Sequence, residues 1–416
     1  MNSATPVLNE ERADILDVLR GFALLGILVN NIRGFSGYMY LSPKYQDALP
    51  TSFADNILEL LQFVFVEGKF YSIFSLLFGV GFSIILTRTA QKGIQSLKIF
   101  YRRLAILIVF GLIHTLLIWE GDILLLYGLI GLLLPLFRNF SDKQLLVLAT
   151  MLILSPILFD AIKVLIKAGP GDWFFSMAQS VDKKNGIPID DNYAFYLFKK
   201  GSGWQEWRNW QESGFFYRYE YILSSNRPVK VLGMFLIGFY AGRKGIYQHL
   251  EAYRGLFKKI RNYGFTIGIV GSAGRVYFEM DGKNIYSSAW GLMDTLFYAI
   301  TVVPLALAYV SVICLIWIKA KETTVLRHLA PAGRMALTNY LSQTIICIFL
   351  FYGIGLGLGT KFGPVFIYPM AMVIFILQVI FSNYWFRYFN YGPLEWIWRQ
   401  LTYGKRFPLK KQLLIT

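Results

Sequence analysis

The sequence predicts an all-α, polytopic integral membrane helix bundle of about ten transmembrane helices, with both termini cytoplasmic. Three observations carry that expectation. Of the 416 residues, 55% are apolar and only 16% charged, whereas a soluble domain carries about 25% charged residues. Apolar runs long enough to cross about 30 Å of hydrocarbon recur along the whole chain. The basic residues, 41 Lys and Arg against 25 acids for a net charge of +16, gather in alternate connections between those runs.

The runs read as 15–33, 70–87, 103–119, 122–137, 144–167, 229–243, 263–280, 288–318, 335–358 and 363–387. Segment 56–66 could be a further buried or interfacial helix, and 263–280 is weakened as a span by Arg275. Glu10, Glu11, Asp14 and Asp17 around Arg12 are unlike the basic start of a signal peptide, so the first run stays as a membrane helix. Segment 88–102 holds Arg88, Lys92, Lys98 and Arg102 with no acid; 243–261 and 319–334 are likewise basic, and so is the tail from 388 to 416. Between the third and fourth runs stand only Glu120 and Asp122, and segment 169–227 balances seven acids with seven bases. This alternation sets orientation, and it assigns the bases to anionic lipid rather than nucleic acid. One transmembrane domain over 1–416 is expected. Segment 169–227 lies outside and 388–416 is a cytoplasmic interfacial tail.

Metal and disulfide chemistry are not expected. Cys314 and Cys347 are the two cysteines and both sit in apolar runs, while three histidines cannot supply a multi-histidine site.

Ionisable residues inside spans are the candidates for function, because placing them there is costly. Arg20 and Asn31 are eleven residues apart, so on one helix they share a face about 16 Å apart, with Asp17 in reach of Arg20 and Asn30 beside Asn31. Arg103 and His114 repeat that spacing on the third run, followed by Trp119, Glu120 and Asp122 in a tight outer hairpin. His114 is the candidate general base and Asp122 its orienting group. A lined cavity and a set of interhelical hydrogen bonds are both compatible with these residues. Arg334, Thr338 and Ser342 form an i, i+4, i+8 row with Asn339 and Gln343 beside it, a polar face for a substrate path or for helix contacts. Glu67 and Lys69 read as an ion pair at the foot of the second run. Trp204, Trp207 and Trp210 read as an interfacial stripe or a sugar-stacking surface. Gly238 and Gly242, and alternate glycines from 353 to 359, read as close helix packing or a kinked helix end.

Five stretches together resemble the YeiB-like bacterial membrane proteins, the family carrying domain of unknown function number 418. They are Leu16 to Ile27, Lys69 to Gly79, His114 to Leu124, Gly333 to Gln343 and Gly392 to Trp396. The resemblance implies kinship with the transmembrane acyltransferase superfamily, which includes acyltransferase family three and the heparan-glucosaminide acetyltransferases. It implies a bacterial cytoplasmic-membrane protein taking an acyl group from cytoplasmic acyl-CoA, such as acetyl-CoA, to an extracytoplasmic acceptor such as a glycan. On that reading Arg20 and Arg103 hold cofactor phosphates, Asn31 donates to an oxyanion and His114 deprotonates the acceptor. The superfamily's first-helix histidine falls at Asn31, which has no useful basicity. The competing expectation is a transporter or flippase for a small anionic or amphipathic solute passing the same residues.

Overall fold

The computed structural model describes residues 14–91, 96–279, 289–319 and 325–411. Glu10, Glu11, Arg12, Lys92, Lys321 and the end of the tail beyond 411 lie outside the described residues, as do Met280 and Ser288 at two span ends. The order of helices is α1 Asp14–Phe35, α2 Pro43–Asp47, α3 Ser52–Phe65, α4 Lys69–Gln91, α5 Ser96–Leu117, α6 Leu124–Gly131, α7 Asp142–Ile166, α8 Asp172–Asn185 and α9 Phe195–Phe198. There follow α10 Trp204–Ser224, α11 Arg227–Arg243, α12 Arg254–Glu279, α13 Ala289–Lys319, α14 Leu329–Arg334, α15 Ala336–Phe351, α16 Pro364–Tyr388 and α17 Pro393–Tyr403. The described residues form an all-helical membrane protein. Below, the base of the bundle is the end at which α1 begins, and the crown is the end at which it finishes.

Among the described residues six helical stretches are long and apolar enough to cross a membrane: Asp14–Phe35, Ser52–Thr87, Leu97–Leu117, Asp142–Ile166, Trp290–Lys319 and Pro364–Tyr388. The bent pair Val325–Arg334 and Ala336–Phe351 brings the number to seven if it counts as one span. Three other expected spans meet helices that fall short. The run 122–137 breaks into the eight-residue α6 and a tight turn at Leu134–Phe137, and α11 has 17 residues. Arg254, Lys258, Lys259, Arg261 and Arg275 make α12 polar. Segment 56–66 belongs to a helix of its own, α3, separated from α4 at Gly68, whose φ of 81° is left-handed.

Polarity is distributed as lipid exposure demands. On α7, Leu158 and Leu165 are exposed while Asp160 and Lys163 are buried, so the apolar surface faces outward and the charges inward. By contrast α1 is apolar on most faces and buried along most of its length, packed against α4, α14, α15 and α16. Glycines set the closest approach. On α4 and α11 a Cβ at Gly79 would overlap the Phe235 carbonyl, and one at Gly238 the Leu76 carbonyl; at Gly242 it would crowd Ser83. The small-residue spacing of Gly238 and Gly242 is therefore a helix seam. Gly238→Leu is expected to lower stability by about 1–3 kcal/mol through overpacking, read as thermal unfolding in detergent. Gly255→Ala, where a Cβ meets nothing within 4 Å, is the control that should not lower the midpoint.

The run 335–358 is the expectation that changes most. Its helix ends at Phe351, and the alternate glycines form a non-helical loop at the crown, with Gly357 at φ 62°. At its other end the chain turns through 84° between α14 and α15. Arg334 therefore does not continue a row with Thr338 and Ser342; it closes the preceding helix. Glu395 of α17 accepts from the amides of Leu337 (2.7 Å) and Thr338 (3.0 Å) and from the Thr338 hydroxyl (2.6 Å). A carboxylate at this helix start offsets the unsatisfied amides that the break exposes. Segment 169–227 is likewise more regular than its composition suggests, since α8 and α10 pack as a helical hairpin over the crown.

Candidate functional site

Two cavities lie back to back inside the bundle. The base cavity, about 470 Å³, is lined by Asp17, Arg20, Arg103, Arg334, Glu395 and Arg399 among apolar side chains. The crown cavity, about 820 Å³, is lined by Asn30, Asn31, Glu67, Trp119, Glu120 and a larger set of charged and aromatic residues. Ile27, Ile123 and Tyr340 line both. The two spaces thus meet at these three residues.

The shared face of Arg20 and Asn31 on α1 follows from their spacing, but the structure divides it. Arg20 lies in the base cavity, Asn31 in the crown cavity, and Ile27 stands between them. Asp17 accepts from Arg20 at 2.6 Å. Each of the other three arginines at the base lies over an aromatic ring: Arg103 over Trp398 at 4.1 Å, Arg334 over Phe386 at 4.2 Å and Arg399 over Tyr391 at 4.8 Å. Stacking on the rings holds these guanidinium groups in place along one cavity wall, and the planar guanidinium fork suits phosphate or carboxylate recognition. Arg399 belongs to the set although nothing in its sequence neighbourhood marks it. The fold of α17 under α5 brings it there, with Trp398 Nε1 donating to the Arg103 carbonyl at 3.1 Å.

His114 is placed differently from a free general base. It is fully buried and lines neither cavity. Nδ1 lies 2.8 Å from Asp122 Oδ1 and Nε2 lies 3.1 Å from Thr344 Oγ1. Which ring nitrogen donates depends on the imidazole tautomer, but each has a protein partner within hydrogen-bond distance. Asp122 also accepts from the Leu125 amide at 2.7 Å, at the start of α6, and its carbonyl accepts from Arg218 Nε and Nη2 at 3.1 and 2.6 Å. Asp122 thus orients His114 as the sequence suggests, yet both ring nitrogens are spent on the protein. The ring packs edge-on against Tyr340, centroids 5.3 Å apart, and so backs the layer where the cavities meet.

The remaining expected path residues divide in the same way. Trp119 lines the crown cavity and packs on Phe35 at 4.1 Å between centroids. Glu120 lines it too and accepts from Tyr40 (3.3 Å), Trp210 Nε1 (3.3 Å) and Gln211 (3.1 Å). Burial pushes its carboxyl above the ordinary range, while hydrogen bonds, including those three, pull it back. Trp210, the third member of the tryptophan stripe, is hence a buried donor, whereas Trp204 is exposed. Glu120→Ala would leave three donors without their acceptor, an expected loss of about 3 kcal/mol. Glu120→Gln, which keeps an acceptor, should recover most of it in the same melting assay.

Asn30 accepts from Gln62 at 3.0 Å and donates to Asn31 at 3.2 Å, so both amides face the crown cavity from a fixed pair. Glu67 and Lys69 are not partners of each other. Glu67 faces Arg275 at 3.6 Å, and Lys69, completely buried, donates to the Phe63 carbonyl at 2.9 Å near the end of α3. Thr338, Asn339, Ser342 and Gln343 line neither cavity. They bind α16 and α17 instead: Asn339 donates to Ser382 (3.1 Å), Gln343 to Gln378 (2.9 Å), and Gln378 to Ser342 (2.7 Å).

The crown cavity also holds charges that sequence reasoning did not join. Arg275 donates to Asp294 at 3.0 Å, and Asp160 accepts from Lys163 at 2.7 Å and Thr295 at 2.6 Å. Each of these lies within or beside an apolar run, which is the signal that could have found them. Among the described residues no group of His, Cys, Asp and Glu could hold a metal ion.

The comparisons with known proteins agree on a family and stop at its name. The family model "Protein of unknown function (DUF418)" matches residues 241–405. The chain is 32% identical to the uncharacterized protein YxaH of Bacillus subtilis, over 99% of each chain. It is 31% identical to the uncharacterized protein YeiB of Escherichia coli, over 94% of this chain and 96% of the other. An uncharacterized 39.9 kDa protein of the amylase 3′ region of Bacillus acidopullulyticus is 30% identical, over 98% and 99%. With that identity sustained along nearly its whole length, the chain belongs to the YeiB-like DUF418 family of membrane proteins.

Proposed function

We propose that the protein carries an amphipathic anion across the bacterial cytoplasmic membrane. The anion enters the base cavity from the cytoplasmic side, and its acidic group is held by Arg20, Arg103, Arg334 and Arg399. The carrying observation is that the two cavities share the layer of Ile27, Ile123 and Tyr340. Three side chains are a short barrier, and apolar ones suit the passage of an alkyl or acyl portion. Orientation rests on the alternation of basic connections, which makes the base cytoplasmic and implies about ten crossings, with the shorter helices completing the count.

Acyl transfer from acyl-CoA to an outer acceptor is the second reading. It is favoured by Asn31, one turn beyond Ile27, which offers an amide to a carbonyl that has passed the layer. The arginines of the base fit cofactor phosphates. The acid–base half fits less well: with both nitrogens of His114 engaged, another group would have to deprotonate the acceptor, and this places transport first.

Proteoliposomes separate the two. With labelled acetyl-CoA, longer acyl-CoAs and simple alkyl phosphates supplied on either side, movement of an unchanged solute supports transport, and label on a new covalent product supports acyl transfer. Neither flux nor transfer across those probes, with Arg20→Gln and Arg103→Gln indistinguishable from the parent in binding them, would sink both readings.

A further inference from the structure

Two cations that line the crown cavity, Arg227 and Lys230, form no ion pair among the described residues. Arg275 is claimed by both Glu67 and Asp294, and Asp160 by Lys163. Arg227 and Lys230, in the first turn of α11, have no carboxylate partner among the described residues. Arg227 donates to the Tyr221 hydroxyl at 2.8 Å and lies over the rings of Tyr71 and Tyr221, at 4.6 and 4.8 Å. The Lys230 ammonium lies 4.0 Å over the Tyr298 ring, and the opposite claim on that ring comes from Arg275 at 4.7 Å. The Tyr71 and Tyr298 hydroxyls are 2.9 Å apart, which ties the two rings into one platform.

All of these residues except Lys163 line the crown cavity. Within this cluster three cations, Arg227, Lys230 and Arg275, meet two carboxylates, Glu67 and Asp294, with Asp160 taken up by Lys163, so the local excess is one positive charge. The positive end of the α11 helix adds to it. A second observation points to a missing partner. Arg275 is 2% exposed, and its Nη1 is buried with no hydrogen-bond partner; Arg227 Nε is in the same condition. Unfilled donors of this kind are costly in an enclosed site. Aromatic faces soften the charge but supply no acceptor for an N–H.

We propose that Arg227, Lys230 and Arg275 form an anion site in the crown cavity that binds a phosphate group. Oxygen acceptors of a phosphate supply what the guanidinium donors lack, and its charge matches the excess. The platform of Tyr71 and Tyr298 and the neighbouring apolar wall would lie against whatever the phosphate is attached to. The site goes beyond the proposed function, since it needs neither transport nor acyl transfer. Both an acidic lipid headgroup and a water-soluble phosphate offer this chemistry.

Equilibrium binding tests it on the full-length protein in nanodiscs of neutral phosphatidylcholine. Inorganic phosphate and glycerol phosphate are titrated as soluble probes, and phosphatidylglycerol is added to the nanodiscs as the lipid probe. The parent is expected to bind at least one of them. Lys230→Met should weaken binding about tenfold or more, as for loss of one charge-assisted hydrogen bond, with Lys230→Arg restoring it. Arg227→Gln should weaken it likewise, and thermal unfolding of each variant checks that the fold is kept. Saturation by soluble phosphate identifies a solute site, and binding of the lipid alone identifies a headgroup site. No binding of any probe, or equal binding by folded Lys230→Met, overturns the proposal. Gly255→Ala, which lines neither cavity, should leave this binding unchanged.

Discussion

Arg275→Leu is expected to destabilise the protein by about 3–5 kcal/mol, the cost of stranding buried charges by removing their partner. Arg275 Nε donates to Asp294 at 3.0 Å, its Nη2 faces Glu67 at 3.6 Å, and its guanidinium packs on Phe63 at 4.1 Å. The leucine would leave two carboxylates in a largely desolvated site and expose the Phe63 face. Arg275→Lys should recover only part of the loss, because one ammonium cannot reach both acids with the planar geometry of a guanidinium. Neutralising the acids as well, with Glu67→Gln and Asp294→Asn added to Arg275→Leu, should restore most of the stability. Detergent melting curves of the four proteins measure this. A single Arg275→Leu variant with an unchanged midpoint would show that water already reaches the cluster.

Ile27→Trp is expected to reduce passage between the two cavities by more than tenfold. Ile27 is one of three side chains that line both spaces, and the larger ring can settle into the room on either side at modest cost. Tyr340→Ala removes the largest of the three, and it should speed leakage of small anions across proteoliposomes. Opposite signs from two neighbouring positions would be hard to attribute to unfolding, and the melting temperature of each variant checks that possibility. Flux unchanged in both would mean that the two cavities do not communicate.

The composition and the alternation of basic loops were enough to read a helical membrane protein, and six of the expected runs coincide with stretches able to cross a membrane. The misjudged parts share a cause. Hydropathy reports how apolar a run is, but not whether its backbone continues. The run 122–137 looks continuous and breaks after Gly131, and the run 335–358 is bent at one end and unwound at the other.

The site was legible to a different depth. Periodicity correctly put Arg20 and Asn31 on one face of α1, since a single helix fixes that relation. It could not show that Ile27 and Tyr340 partition the face into two spaces, because Tyr340 arrives from another helix. The pairing of His114 with Asp122 was readable from their closeness in the chain. The capping of its other nitrogen by Thr344 was not, for 230 residues separate the two. Arg399 and the platform of Tyr71 with Tyr298 were hidden for the same reason.

The base cavity has a consequence for assembly. Asp17, Arg20, Leu24 and Ile27 form one part of its wall, and much of the rest comes from Gly333 to Tyr403. During synthesis the early helices can enter the bilayer while the arginine-lined chamber does not yet exist. Only when α14 docks on α1 and α17 folds beneath α5 are the walls closed, a late event bound to the slow search for distant partners. A nascent chain therefore holds no finished charged chamber, and truncation before Glu395 should yield an inserted but open-based bundle.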